Sequence, residues 1–217
     1  MKEAYFSPDT IQRKAGEMLA GLHISARKPE LVPEKSALLI LDMQDYFLES
    51  DSHACVPSAK AILPGLRRII AAYAQRENPI IFTQHINTSE DAAMMGVWWH
   101  ELINADHPLK GISSKLDTSL GTVMQKTQYD ALFGTDLGEM LSNSQTTQVV
   151  ICGVMTHLCC ESTARSAFMH GYEVFFTVDG TATYNRKFHL ATLSTLTHGF
   201  ARPMLVDEVI AACEGRQ

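Results

Sequence analysis

Three residues of this chain carry the side chains that acyl chemistry needs. Asp42 follows the apolar run Ala37–Leu41, Lys126 follows Thr122–Gln125, and Cys159 comes shortly after Val149–Val154. A thiol attacks only as thiolate, and a helix N-terminus favours negative charge. A cysteine in the first turn of a helix starting near His157 is therefore expected to have a lowered pKa. Asp42, at the end of an apolar strand, should be partly desolvated, which raises a carboxyl pKa and suits it to proton transfer near neutrality. Lys126 can hold the Asp42 charge and orient the pair. Attack on a carbonyl also needs an oxyanion site, which backbone N–H groups at Met155 and Cys159 could supply.

Each residue has an ordinary alternative. Free cysteine is among the most buried residue types, a strand-end Asp can cap the next segment, and a Lys there can be solvated. Position separates the cysteines. Cys152 lies inside a strand and reads as core. Cys160, Ala164, Ala167 and Phe168 recur at i, i+4, i+7 and i+8, the core stripe of a helix, and Cys159 falls off that stripe.

These side chains need elements that bring them together. The apolar runs Ala37–Leu41, Ile80–Thr83, Thr122–Gln125, Gln148–Val154, Glu173–Val178 and Met204–Val206 are short and rich in aliphatic or β-branched residues, as in strands buried on both faces. Segments of helical period lie between them: Pro57–Glu77, Thr135–Leu141, His157–His170 and Arg186–His198. Gly171 and Gly199 stand where two of these should end. Such alternation predicts an α/β fold, a three-layer α/β/α sandwich with a mainly parallel six-stranded sheet. Ligands of open parallel sheets bind beyond the carboxyl ends of the strands, and the acid, the base and the thiol all fall at that edge. Residues 1–35 precede the first strand and are expected to hold a helix near Thr10–Ala20. Residues 84–120, with Trp98, Trp99, His100 and His107, form a connection long enough to be functional.

Composition bounds the possibilities. The 217 residues are 46% apolar and 19% charged, with 18 basic and 24 acidic side chains and a net charge of −6. A chain of this length buries about 70% of its surface, enough for a core without staples, and one domain over residues 1–217 is expected. An acidic chain without a basic block is a poor phosphate-backbone binder. No apolar run approaches the roughly 20 residues of a membrane helix. Met1–Pro8 holds no apolar stretch of signal-peptide length, so a cytoplasmic protein is expected. The five cysteines are odd in number and irregularly spaced, without a Cys-x-x-Cys pair, and read as free thiols.

At these residues the sequence resembles the isochorismatase-like cysteine hydrolases, from about Ala37 to Val209. Asp42-Met43-Gln44-Asp45-Tyr46-Phe47 is similar to the D-x-Q-x-x-F segment that carries the catalytic acid. Lys126-Thr127-Gln128-Tyr129 through Gly134-Thr135-Asp136-Leu137 is similar to the segment with the catalytic lysine. Gly153 through Arg165 is similar to G-V-x-T-x-x-C-V-x-S-T-A-R, whose cysteine is the nucleophile. Asp130, Leu132, Cys160 and Ser166 depart from the usual residues without touching these three. The resemblance implies an Asp42–Lys126–Cys159 triad and a cis Val154–Met155 peptide shaping the oxyanion site.

It also implies a small-molecule substrate, with no nucleic acid or membrane as partner, and a homo-oligomer, dimer or tetramer. Substrate contacts are expected from Phe47, His85, Trp98 and Tyr129, and further along from Phe133, Thr156 and His157. Nicotinamidases in this family bind a metal through an Asp-x-His pair after the second strand. Here that stretch reads Thr83-Gln84-His85-Ile86-Asn87, so no metal and no cofactor are expected. Two chemistries remain open. Amidases attack a C–N substrate through the cysteine, whereas isochorismatases hydrolyse a vinyl ether through the acid alone and typically have Gly at the cysteine position. A non-catalytic scaffold subunit is the third possibility, which an intact triad argues against.

Overall fold

The computed structural model describes residues 1–24, 29–99 and 101–215. In chain order the elements are α1 (Ile11–Ala20), β1 (Ser36–Leu41), α2 (Asp45–Leu48), α3 (Ala59–Gln75), β2 (Ile80–His85), α4 (Met95–Trp98) and β3 (Thr122–Lys126). They continue with α5 (Leu137–Asn143), β4 (Gln148–Val154), α6 (Glu161–Met169), β5 (Glu173–Ala182), α7 (Arg186–Gly199), β6 (Arg202–Met204) and α8 (Val206–Cys213). The six strands pair in parallel in the order β3-β2-β1-β4-β5-β6. Helices α3 and α8 pack together on one face, and α6 and α7 pack on the other. This is the expected three-layer α/β/α sandwich. No described helix is long and apolar enough to cross a membrane.

Burial explains the strand sequences. Every residue of β1 and β4 is buried, because helices cover both faces of the central strands. The edge strand β3 exposes Thr122, Val123 and Gln125 and buries Lys126 at its end. Strand order reverses between β1 and β4, so their carboxyl ends border a crevice that no crossover covers. The two backbones are brought together by Gly153, whose φ of +115° suits glycine and whose missing side chain would run into the Leu41 backbone.

Several boundaries differ from expectation: β2 runs on to His85 and β5 to Ala182. Strand β6 ends at Met204, because Val206 already opens α8. The segment after β4 does not enter an α-helix at His157. Thr156–Cys160 forms a π-helical turn, with the Met155 carbonyl accepting from the N–H groups of both Leu158 and Cys160, and α6 begins at Glu161. Cys160, Ala164 and Ala167 are buried as the stripe predicts, but Phe168 is half exposed against Phe200. The N-terminal segment is more than a helical extension. Tyr5 and Phe6 are buried, and the Tyr5 hydroxyl lies 2.8 Å from His189 Nδ1 while accepting from the Thr183 N–H.

Candidate active site

The three motif residues meet at the crevice. Asp42 follows β1 with φ +50°, a left-handed conformation rare outside glycine, and its side chain is fully buried. Its Oδ1 accepts from the Thr83 hydroxyl at 2.6 Å, and its own N–H donates back to Thr83 Oγ1 at 3.1 Å. Lys126, the last residue of β3, places its ammonium 2.8 Å from Asp42 Oδ2, 3.4 Å from Cys159 Sγ and 2.8 Å from the Gln128 carbonyl. The contact with Oδ2 is a close ion pair between two fully buried side chains. Cys159 stands in the π turn, and the preceding Val154–Met155 peptide is cis.

The electrostatics correct two expectations. Burial, the largest single effect, pushes the Asp42 carboxyl up, but Lys126, His85 and the hydrogen bonds of Cys159 and Lys126 together outweigh it and hold the group below its ordinary range. Asp42 is thus an ionised acceptor rather than a raised acid. The Cys159 thiol is pushed up to about 12, by burial first and then by the Asp42 charge, with Lys126 only partly offsetting them. The expected lowering is absent because Cys159 is buried within a π turn and faces a carboxylate. Lys126 is held above its ordinary value, since Asp42 and Cys159 overcome the effect of burial. The resting cluster is a carboxylate, an ammonium and a neutral thiol.

A cavity of about 360 Å³ opens onto Cys159. Phe47, His85, Trp98, Tyr129 and Met155 line it. Trp98 is 75% exposed, so it borders the mouth. Its neighbour Trp99 is fixed by donating its indole N–H to the Tyr129 hydroxyl at 2.7 Å. Phe133 is 63% exposed and off the wall, because it stands with Gly134 on an exposed turn after the buried Ala131. Thr156 and His157 do not line the cavity either. Thr156 points behind the turn, 3.3 Å from His189 Nδ1, and His157 stacks on Phe188 and bonds Thr183. His100 lies outside the described residues.

The stretch after β2 does not fit a divalent metal. His85 Nε2 lies 2.7 Å from Asn87 Oδ1, and its Nδ1 is 3.4 Å from the Lys126 ammonium. One imidazole, one amide and a buried cation form no ligand set. Among the described residues no group of three or more His, Cys, Asp or Glu side chains could hold a metal ion. His85 is held below its ordinary value by burial and then by Lys126, so it is a neutral imidazole.

Several residues of the site carried no separate signal. Thr83 lies inside β2, two residues before its end, where the strand-end rule does not look. Gln44 clamps β2 and the long connection by donating to the His85 and Lys110 carbonyls and accepting from the His85 N–H. His53, Glu101 and Tyr184 lie in aperiodic loops that only the fold brings to the cavity.

Known proteins match both the sequence and this architecture. Residues 36–208 match the family described as Isochorismatase domain. Nicotinamidase 3 of Arabidopsis thaliana is 36% identical over 190 residues, covering 83% of this chain and 89% of the relative. Enterobactin synthase component B of Escherichia coli K12 is 28% identical over 183 residues, covering 83% of this chain and 64% of the relative. The crystal structure of a cysteine hydrolase from Pseudomonas syringae pv. phaseolicola 1448A superposes with a TM-score of 0.80 at 20% identity, over 90% of this chain and 99% of that one. At that identity the likeness speaks for the fold.

Proposed function

The chain belongs to the isochorismatase family of hydrolases, and from that premise we propose that it is a cysteine hydrolase cleaving a small C–N substrate, an amide, ureide or carbamoyl compound. The observation that carries this reading is the cluster itself: Lys126 lies within 2.8 Å of Asp42 and 3.4 Å of Cys159, and the thiol opens into the cavity. Asp42 Oδ2 accepts the Cys159 proton as Sγ attacks the substrate carbonyl carbon. The carbonyl oxygen becomes an oxyanion facing the N–H groups of Met155 and Cys159. The C–N bond then breaks as the Asp42 carboxyl returns its proton to the leaving nitrogen. Water, deprotonated by Asp42, hydrolyses the thioester and restores the thiol. A thiol pushed up to about 12 needs this base, because on its own it would hold almost no thiolate at pH 7.

The vinyl-ether reading needs Asp42 as an acid at rest, and the low-held carboxylate argues against it. The test is turnover of an ammonia-releasing panel of amides and ureides, with isochorismate included. Cys159→Ala is expected to lose all turnover while Cys160→Ala keeps most of it. Cys159→Ala remaining active while Asp42→Ala is dead would replace the thioester route by acid catalysis.

A further inference from the structure

The cavity has a second polar locus on a wall built from the loops after β1 and β2. Among the described lining residues Glu101 supplies the one carboxylate, since neither Asp42 nor Lys126 reaches the wall. Its Oε2 lies 3.2 Å from His53 Nδ1 and accepts from the Tyr46 hydroxyl at 3.4 Å, while Oε1 lies 3.5 Å from His107 Nε2. The Leu109 N–H donates to His107 Nδ1 at 3.1 Å, which leaves the Nε2–H for Glu101. His107 therefore helps to orient the carboxylate. Aromatic side chains, Tyr46, Phe47, Trp99, Tyr129 and Tyr184, share the rest of the wall with aliphatic ones such as Leu102 and Ile103. Aromatic faces with a carboxylate among them favour a cation over a neutral group of the same shape. A cation over one of these rings is already part of the structure, for the Lys2 ammonium lies 4.6 Å from the Tyr184 centroid.

We propose that the substrate of this site is a small cationic amide, its carbonyl at Cys159 and its positive charge held between the aromatic wall and the Glu101 carboxylate. The inference rests on the hydrolase reading above and names the substrate class for it. Glu101 is here a specificity residue and takes no part in bond breaking.

The test compares two amides of equal size and opposite character, 1-methylnicotinamide, a cation, and 3-methylbenzamide, which is neutral. Their dissociation constants are measured by calorimetry on the Cys159→Ala chain, where no turnover intervenes. The cation is expected to bind about tenfold more tightly. Glu101→Gln on the same background is expected to erase that preference while moving the 3-methylbenzamide affinity by less than about twofold, which also reports that the cavity is intact. Equal affinities for the two amides, no saturable binding of the cation, or a preference that survives Glu101→Gln would overturn the proposal. Ammonia release from the same amides by the wild-type chain judges the hydrolase reading by itself, so the two ideas fail separately.

Discussion

Replacing Lys126 by Met removes the cation from a buried carboxylate while nearly keeping the side-chain volume. The ammonium sits 2.8 Å from Asp42 Oδ2, and both side chains have zero exposure. At an effective dielectric constant near 20 this pair is worth a gross attraction of about 6 kcal/mol, and breaking a buried pair typically costs about 3–5 kcal/mol. The sign of the pH dependence identifies the cause. In the wild type the Asp42 pKa is depressed on folding, so its contribution is present above the ordinary carboxylate range and lost as pH falls. Without Lys126 the burial penalty is opposed only by weaker partners, and the carboxyl pKa should rise above its unfolded value. Its contribution then survives at low pH and is lost as pH rises through the new value. Urea unfolding by far-UV circular dichroism between pH 4.5 and 9 should therefore show a gap between wild type and Lys126→Met that widens with pH and levels off near 3–5 kcal/mol. The m-value should be unchanged. A gap that stays constant across this range would mean lost packing and would refute the electrostatic reasoning, as would a total loss under about 1 kcal/mol. Turnover should fall at least about 100-fold, since the proton acceptor is neutralised.

Two further outcomes follow from the fold around the site. Asp179 is buried, accepts from the Val206 N–H at 2.7 Å, and is pushed up to about 6, chiefly by burial. Because its folded pKa exceeds the unfolded value, its protonation stabilises the fold, and that contribution is lost as pH rises through about 6. Asp179→Asn should accordingly be more stable than wild type by at most about 3 kcal/mol at pH 8, with the gap closing by pH 4; a gap independent of pH in thermal melts would contradict this. Gly153→Ala forces a Cβ into the Leu41 backbone at a φ that alanine resists. It should lower the urea-unfolding free energy by more than about 3 kcal/mol and separate Asp42 from Cys159, and a variant that unfolds and turns over like wild type would show that β1 and β4 tolerate a wider spacing.

The strands, the helices and the three side chains that meet at the crevice were legible in the chain because each depends on a local pattern. Buried parallel strands must be apolar on both faces, so β1 and β4 announce themselves over a few residues. A strand end followed by a charged residue is equally local, which is how Asp42 and Lys126 were found, and helical period separated Cys159 from Cys160. Protonation states were not legible. The expected values for Asp42 and Cys159 came from one neighbour each, a strand end and a helix start. In the fold, both directions are set by the balance of burial against charges brought from β1, β3 and β4.

The sequence by itself determined a parallel α/β sheet, the edge at which its chemistry sits, and the three side chains that stand there. Tertiary structure alone decided that Asp42 is held as a carboxylate and Cys159 as a protonated thiol. It also removed Phe133, Thr156 and His157 from the cavity wall and brought His53, Glu101 and His107, from loops without periodicity, together with Tyr46 of α2. Local pattern is a property of neighbours along the chain. A pKa and a binding wall depend on neighbours in space, and those exist only once the sheet has closed its crevice.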